Sequence, residues 1–291
     1  MKKLRYAITG ANGFVGSHIV RYLIDKRCEV YEIGRHPSKK IQRKSYFIYH
    51  SLGGAINQKK LHGIDVFIHC AYDFSLIKWG DIKKINIDGS VNLLEEASNA
   101  GVKKMILIST MSAFEGCKSL YGKAKISIER EASKLGAIIV RPGLVFGKNV
   151  GGMIGSLNKM ISISKFIPLV SGGNQLLHLC HYEDLAHLVW ELSIGKKKIN
   201  IPIVAASEKG LTSKEILKIL SEIKYKKNFP VSIPYWIIFS CFKLLELMHI
   251  KMRLSSDSLV SLVNLNQNIN FDETRKCGVS FREFNIRTAN G

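Results

Sequence analysis

Apolar positions in this chain gather into short continuous runs separated by stretches of helical period. Residues 4–8, 29–33, 46–49, 65–69, 104–109 and 137–141 are of strand length and rich in β-branched and aromatic side chains. Between them, residues 16–26 put Ile19, Val20, Leu23 and Ile24 on one face. Residues 82–100 run to a breaker at Gly101, and residues 121–135 stop beside Gly136. Strands alternating with helices predict an α/β fold: a doubly wound parallel sheet covered on both faces.

After residue 150 the rhythm changes. Gly151-Gly152 and Ser171-Gly172-Gly173 flank a helical segment, 184–192 is helical again, 199–204 suits a last strand, and the chain from 211 is mostly helical. The expected organisation is a sheet-and-helix unit over 1–150, with a return at about 181–205. A small, mostly helical substrate lobe is expected over 151–180 and 206–291.

The 291 residues are 46% hydrophobic and 23% charged, which is ordinary for a globular chain, whereas a net charge of +20 is not. The lysines lie in scattered groups (Lys2-Lys3, Lys39-Lys40, Lys59-Lys60, Lys196–Lys198) without interleaved aromatics. They read as solvated faces rather than a nucleic-acid tract, and no nucleic-acid partner is expected. Cys28, Cys70, Cys117, Cys180, Cys241 and Cys277 form no Cys-x-x-Cys pair, and several sit in apolar runs as small buried side chains would. That usage fits a reducing compartment. A strand beginning at once argues against a signal peptide, and no run reaches the roughly 18 apolar residues of a spanning helix. The expected location is the cytoplasm.

Residues 9–16 read Thr-Gly-Ala-Asn-Gly-Phe-Val-Gly, between the first strand and the first helix. Strand, glycine turn and helix start are what a dinucleotide pyrophosphate needs. Gly10 permits the turn, Gly13 leaves room for phosphate and Gly16 lets helix and strand approach. The loop also carries Asn12, Phe14 and Val15. At the end of the second strand, where a carboxylate would take the adenosine ribose hydroxyls, stand Gly34 and then Arg35, with His36 and Lys39 close by. A guanidinium there favours the 2′-phosphate of NADP, with NAD left open. Tyr121 and Lys125 are spaced i, i+4, so one helix face carries both. An ammonium beside a buried phenol makes it more acidic, fit to exchange a proton with a substrate oxygen while hydride moves at carbon.

With Thr9–Gly16, His69-Cys70-Ala71, residues 86–94 (Asn-Ile-Asp-Gly-Ser-Val-Asn-Leu-Leu), Ile108-Ser109-Thr110, Tyr121–Lys125 and Arg141–Gly147 in this order, the chain resembles the short-chain dehydrogenase/reductase superfamily. The branch is the extended one of NAD(P)-dependent epimerases, dehydratases and reductases. The likeness is good to about Gly147 and weaker beyond. It implies a Rossmann-type fold, places Ala71, Pro142 and Val145 beside the cofactor, and lets Lys125 hold the nicotinamide ribose. It also implies a Ser or Thr on the substrate oxygen. Thr110 is the first choice and Ser112 the substitute, because Met111 occupies the alternative position; Ser109 is expected to end the strand. Relatives often dimerise through two helices per subunit, which here are 82–100 and 121–135.

Departures narrow the reaction. Dehydratases of this branch carry Thr-Asp-Glu where this chain has Thr110-Met111-Ser112, so 4,6-dehydration is disfavoured. Ser51 stands where relatives have an adenine-contacting Asp, and Glu115 replaces an aromatic residue, which would alter the substrate pocket. Asp184 is expected to cap the helix that follows it. His178 and His181 lack a third ligand nearby, so no metal is expected. Residues 231–253 are the least family-like: an apolar, aromatic-rich run followed by Lys243, Lys251 and Arg253. Core or pocket packing is the preferred reading, with contact to an anionic membrane surface as the other.

The leading expectation is an NADP-preferring oxidoreductase or epimerase acting on a nucleotide-sugar-like, anionic small molecule, with Tyr121 as acid/base. The second is a reductase of an apolar, sterol- or flavonoid-like ketone or alcohol. The reading from another class is a non-catalytic NADP-binding subunit.

Overall fold

The computed structural model describes residues 3–37, 45–148, 151–195, 199, 201–248, 250 and 254–289. Lys2, Lys39, Lys40, Lys196–Lys198, Lys251 and Arg253, which figured in the charge pattern, lie outside the described residues.

In chain order the strands are β1 (Arg5–Thr9), β2 (Glu29–Gly34), β3 (Tyr46–Tyr49), β4 (Val66–His69), β5 (Lys104–Ile108), β6 (Ile138–Pro142), β7 (Leu144–Phe146), β8 (Phe166–Val170), β9 (Leu176–Leu177), β10 (Leu179–His181), β11 (Ile203–Ala205), β12 (Leu211–Thr212) and β13 (Phe229–Ile233). The helices are α1 (Phe14–Asp25), α2 (Trp79–Asp81), α3 (Gly89–Asn99), α4 (Leu120–Lys134), α5 (Gly152–Ile163), α6 (Tyr182–Ile194), α7 (Ser213–Ile223), α8 (Tyr235–Leu247), α9 (Ser256–Val263), α10 (Asp272–Lys276) and α11 (Ile286–Ala289). Seven strands form one parallel sheet in the order β11-β6-β5-β4-β1-β2-β3. Strand order reverses between β1 and β4, so a crevice opens beyond their carboxyl ends, where doubly wound sheets bind ligands.

The near-continuous apolar strands follow from burial on both faces. Alternate residues point to opposite sides. Tyr6, Ile8, Ile106, Ile108, Ile138 and Val140 pack in one core with Ile19, Leu23, Leu188 and Val189 of α1 and α6. Ala7, Met105, Leu107 and Ile139 pack in the other with Leu93, Leu94, Ala124 and Ile128 of α3 and α4. A third apolar cluster joins α5, α7 and β8 around Phe146 and Phe284.

Several local expectations are corrected. The helix foreseen over 82–100 starts earlier, at Trp79, and passes through a π-helical stretch, Ile82–Asp88. Its fully buried Asn86 accepts from the Asp73 N–H (2.7 Å) and donates to the Asp73 carbonyl (3.0 Å), tying down the loop after β4. Asp184 does not cap α6. His181 does, accepting from the Glu183 N–H at 3.3 Å, while Asp184 sits in the first turn and takes the Arg282 N–H and Nε, both at 2.8 Å. A carboxylate there still meets the positive end of the helix, and it anchors the C-terminal segment as well. All six cysteines are free; Cys117 and Cys180 are buried, but Cys241 is exposed on α8. The apolar run from 231 splits into the end of β13 and helix α8, which has no buried residue.

Candidate active site

Thr9 shapes the floor of the crevice. Its Oγ1 accepts from the Cys70 N–H (3.0 Å) and the Ala71 N–H (3.1 Å), so its own proton goes to His69 Nδ1 at 2.8 Å. His69 Nε2 must then carry the other hydrogen, donated to Ser90 Oγ at 2.9 Å. Burial lowers the His69 pKa to about 3, so the ring is neutral, as this chain of bonds requires. Thr9→Val leaves two amides and a ring nitrogen without partners, and should cost about 1–3 kcal/mol in urea-midpoint measurements.

Gly10 turns at φ +67°, and a Cβ on it would lie 2.9 Å from the Ala71 nitrogen. On Gly16 a Cβ would lie 2.3 Å from the Gly10 carbonyl, so only glycine lets α1 come this close to the turn. The first-turn amides of α1 have no intrahelical acceptor and the turn carries no acid, which leaves the positive helix end open to the crevice. This cradle suits a pyrophosphate. Just after β3, buried His50 lines the crevice. Arg35 lies there too, exposed, beside His36, whose carbonyl accepts from Asn12 Nδ2 at 2.6 Å. The structure therefore fits a dinucleotide.

One cleft of about 1570 Å³ collects every residue singled out for this site. Gly10, Asn12, Gly13, Phe14, Val15, Gly16, Arg35, Ala71, Pro142 and Val145 line it together with Thr110, Ser112, Tyr121 and Lys125. Ser51 lines it as well, whereas Glu115 is turned out to Arg130 (2.9 Å) and does not shape the pocket.

Helix α4 is anchored at its start from two sides. Ser119 Oγ accepts from the Gly122 N–H at 3.1 Å, and Asp257 of α9 accepts from the Leu120 and Tyr121 N–H groups at 2.7 and 3.0 Å. Gly122 lets the helix approach the Ser112 carbonyl, which a Cβ would meet at 2.3 Å. Tyr121 then enters an aromatic corner, edge-on to Tyr72 (ring centroids 5.0 Å, 85°) and tilted against Phe74 (5.3 Å).

One helical turn on, Lys125 is 2% exposed, and its Nζ donates to the Ile108 carbonyl at 2.9 Å and stands 5.3 Å above the Tyr72 ring. Burial pushes the Tyr121 phenol up to about 12, opposed by the neighbouring Thr110 hydroxyl. The acidification expected from Lys125 is not found: desolvation sets the direction, and the Thr110 hydroxyl is what opposes it. Desolvation also lowers Lys125 itself, to about 8. Ser109 is buried and gives its hydroxyl to Glu129, which also holds Arg141 (Nε–Oε1 2.9 Å), so Ser109 is a strut beneath the site.

The lowered lysine has a consequence for stability. Its ammonium is disfavoured in the fold below about pH 8 and indifferent once the unfolded-state lysine, near 10.4, has also lost its proton. Lys125→Met should therefore stabilise the fold on the order of 2 kcal/mol at pH 7, after subtracting the lost bond to Ile108. The gain should fade as pH rises through 8 towards 10, in melting curves taken at each pH.

Sequence reasoning missed Tyr72, Phe74, His50 and Asp257. The aromatic pair follows Ala71 in a loop that has no period, and Asp257 acts across 137 residues.

The family profile described as "NAD dependent epimerase/dehydratase family" matches residues 6–201. The UDP-glucose 4-epimerase of Vibrio cholerae is 23% identical over 265 residues, covering 81% of this chain and 80% of that one. The ceramide reductase of Caulobacter vibrioides is 31% identical over 187 residues, covering 62% and 58% respectively. The chain spans 26% of the length of three uncharacterised mycobacterial relatives. Among solved structures, MoeE5 in complex with UDP-glucuronic acid and NAD superposes with a TM-score of 0.78 at 16% identity, over 98% of this chain and 97% of that one. With that profile matching two-thirds of its length, this chain belongs to the NAD dependent epimerase/dehydratase family.

Proposed function

We propose that the chain is an NADP-preferring reductase or epimerase that moves hydride at a hydroxyl/ketone carbon, with Tyr121 as the proton carrier. The observation that carries this reading is the convergence of Tyr121, Lys125 and Thr110 on the cleft that the glycine turn opens. A bound nicotinamide would supply or accept the hydride. Tyr121 delivers its phenolic proton to the carbonyl oxygen as the carbon is reduced, or takes it back in the reverse direction. Lys125 places an ammonium behind the phenolate so formed, and its position over the Tyr72 face holds it there. Thr110 orients the substrate oxygen. Its Oγ1 accepts from the Ser112 N–H at 3.2 Å, and its hydroxyl lies beside the Tyr121 phenol that would share that oxygen. Neither Met111 nor Ser112 provides a second acid or base, so dehydration is not part of this reading.

For the substrate, the lining supports a largely apolar molecule ahead of a nucleotide sugar, reversing the order expected from sequence. Beyond Tyr121 the apolar part of the wall is Met111, Leu144, Met153, Leu176, Phe239, Leu254, Val260, Leu262, Leu265 and Ile269, with His178, Ser255, Ser256, Ser258, Ser261 and Asn266 as its polar part. The acids there are engaged by the protein: Glu246 by Ser256 and Asp257 by α4. Lys243 faces Glu246 at 3.4 Å. A lipid-like ketone or alcohol fits such walls, and likeness to a ceramide reductase agrees with it. The nucleotide-sugar reading draws on likeness to a UDP-glucose 4-epimerase and on Lys78 and Lys118 in the lining.

The test has two arms with the purified chain: oxidation of reduced cofactor against long-chain keto-lipids, sterol ketones and UDP-keto-sugars, and chromatographic detection of epimer formed from UDP-sugars, which consumes no net cofactor. Turnover confined to the lipids supports the proposal. Turnover confined to UDP-sugars in either arm overturns the substrate class, and finding neither cofactor oxidation nor epimer with any substrate overturns the reaction.

A further inference from the structure

Helix α8 is built the wrong way round for a surface helix. Its half-buried flank carries Tyr235, Phe239 and Phe242, along with Glu246, whose Oε1 and Oε2 take the Ser256 N–H (2.7 Å) and hydroxyl (2.9 Å). Its outward flank, where polar residues would normally stand, carries Trp236 (67% exposed), Leu244 (58%), Leu247 (74%) and then Met248 (61%) at helical spacing, with Ser240 as the polar residue among them. Apolar exposure is not confined to the helix. Strand β13, which leads directly into α8, exposes Phe229, and the parallel β8 exposes Phe166, their ring centroids 6.0 Å apart. Scattered exposed apolar residues are ordinary on a protein surface. A helix face with this many large exposed apolar side chains marks a binding surface.

Charge selects the occupant. Lys165 precedes β8, and Lys226 and Lys227 precede β13, all exposed. Between Glu222 and Asp257 the only acid is Glu246, and it is spent on the inward flank. A second copy of this chain would bring the same lysines, and another +20 body, against them. An anionic bilayer satisfies both features, taking tryptophan and leucine at the acyl boundary and lysines at the headgroups. Thirteen residues of helix are too few to span, so α8 would lie in the plane of the interface.

We infer that the outward face of α8, with the exposed edge of β13 and β8, seats this protein on anionic membrane surfaces. The opposite flank lines the cleft through Phe239. The inference goes beyond the proposed reaction and does not depend on it, because its test reads vesicle association and not turnover.

The full chain is floated with phosphatidylcholine vesicles, with and without phosphatidylglycerol. Flotation with the anionic vesicles, weakened by salt, is expected. The combined variant Trp236→Ser, Leu244→Ser, Leu247→Ser should lower partitioning at least about tenfold at unchanged cofactor affinity. Brominated-chain lipids provide a readout that does not depend on that variant folding: they should quench the wild-type tryptophan emission, and Trp236→Phe should remove the quenching while flotation persists. Three results would overturn the inference. One is no flotation at low salt, and another is equal flotation of the triple-serine variant. The third is concentration-dependent self-association that the same substitutions abolish and that vesicles do not compete away.

Discussion

Tyr121→Phe is expected to lower substrate turnover by about 10³-fold while leaving cofactor affinity nearly unchanged. The substitution removes one oxygen and keeps the ring, so the packing against Tyr72 and Phe74 survives. What disappears is the proton that must reach the substrate oxygen when the carbon receives hydride. Water cannot readily replace it at a site walled by aromatic and aliphatic side chains. The cofactor rests on contacts that the phenol does not make: the glycine turn, the α1 amides and the adenosine end. A fluorescence titration of reduced cofactor beside steady-state turnover separates the two effects. A non-catalytic binding subunit would have no turnover to lose. An enzyme that kept its rate after losing the Tyr121 hydroxyl would place the proton donor elsewhere.

The pKa directions sharpen this expectation. Without ligands the phenol lies near 12 and Lys125 near 8, so at pH 7 the pair rests as neutral phenol and ammonium, the forms that carbonyl reduction consumes. Reduction should weaken as pH rises through about 8, where the ammonium that steadies the phenolate is lost. Desolvation that costs the fold stability thus readies the site chemically, and the same burial explains the expected gain from Lys125→Met.

How much of this was legible in the sequence depended on range. The sheet was readable because strands buried on both faces are continuous apolar runs, and α4 because Ala124, Ile128 and Ala132 recur on its core side. The turn at Gly10–Gly16 announced itself through spacing that sterics enforce. Partnerships across the chain left no local mark. Asp257 bonding the start of α4, Asn86 holding the Asp73 loop and Arg282 reaching Asp184 join residues whose types are ordinary where they stand. Helix α8 misled differently. Its composition pointed to packing or membrane contact, but only the fold reveals which flank faces out. The periodicity of a helix with apolar residues on every side carries little such information.

Arg35→Asp should move the NADP-to-NAD affinity ratio by about 10²-fold or more towards NAD. A guanidinium on a 2′-phosphate is worth about 1.5–3 kcal/mol as charge-assisted hydrogen bonding, so its loss weakens NADP about tenfold to a hundredfold. An aspartate in its place adds repulsion of the phosphate and offers the ribose hydroxyls an acceptor, which strengthens NAD. The side chain is exposed at the end of β2 and carries no fold-stabilising burial, so the variant should melt with the wild type. The buried Glu32, a few residues earlier, already receives the Ser45 hydroxyl at 2.6 Å, and its carboxylate is the group that would favour NAD if Arg35 played no part. Paired titrations of both cofactors with both proteins decide the matter. A wild type that binds NAD more tightly, with a ratio untouched by the substitution, would remove Arg35 from the site and make Glu32 the residue to replace next.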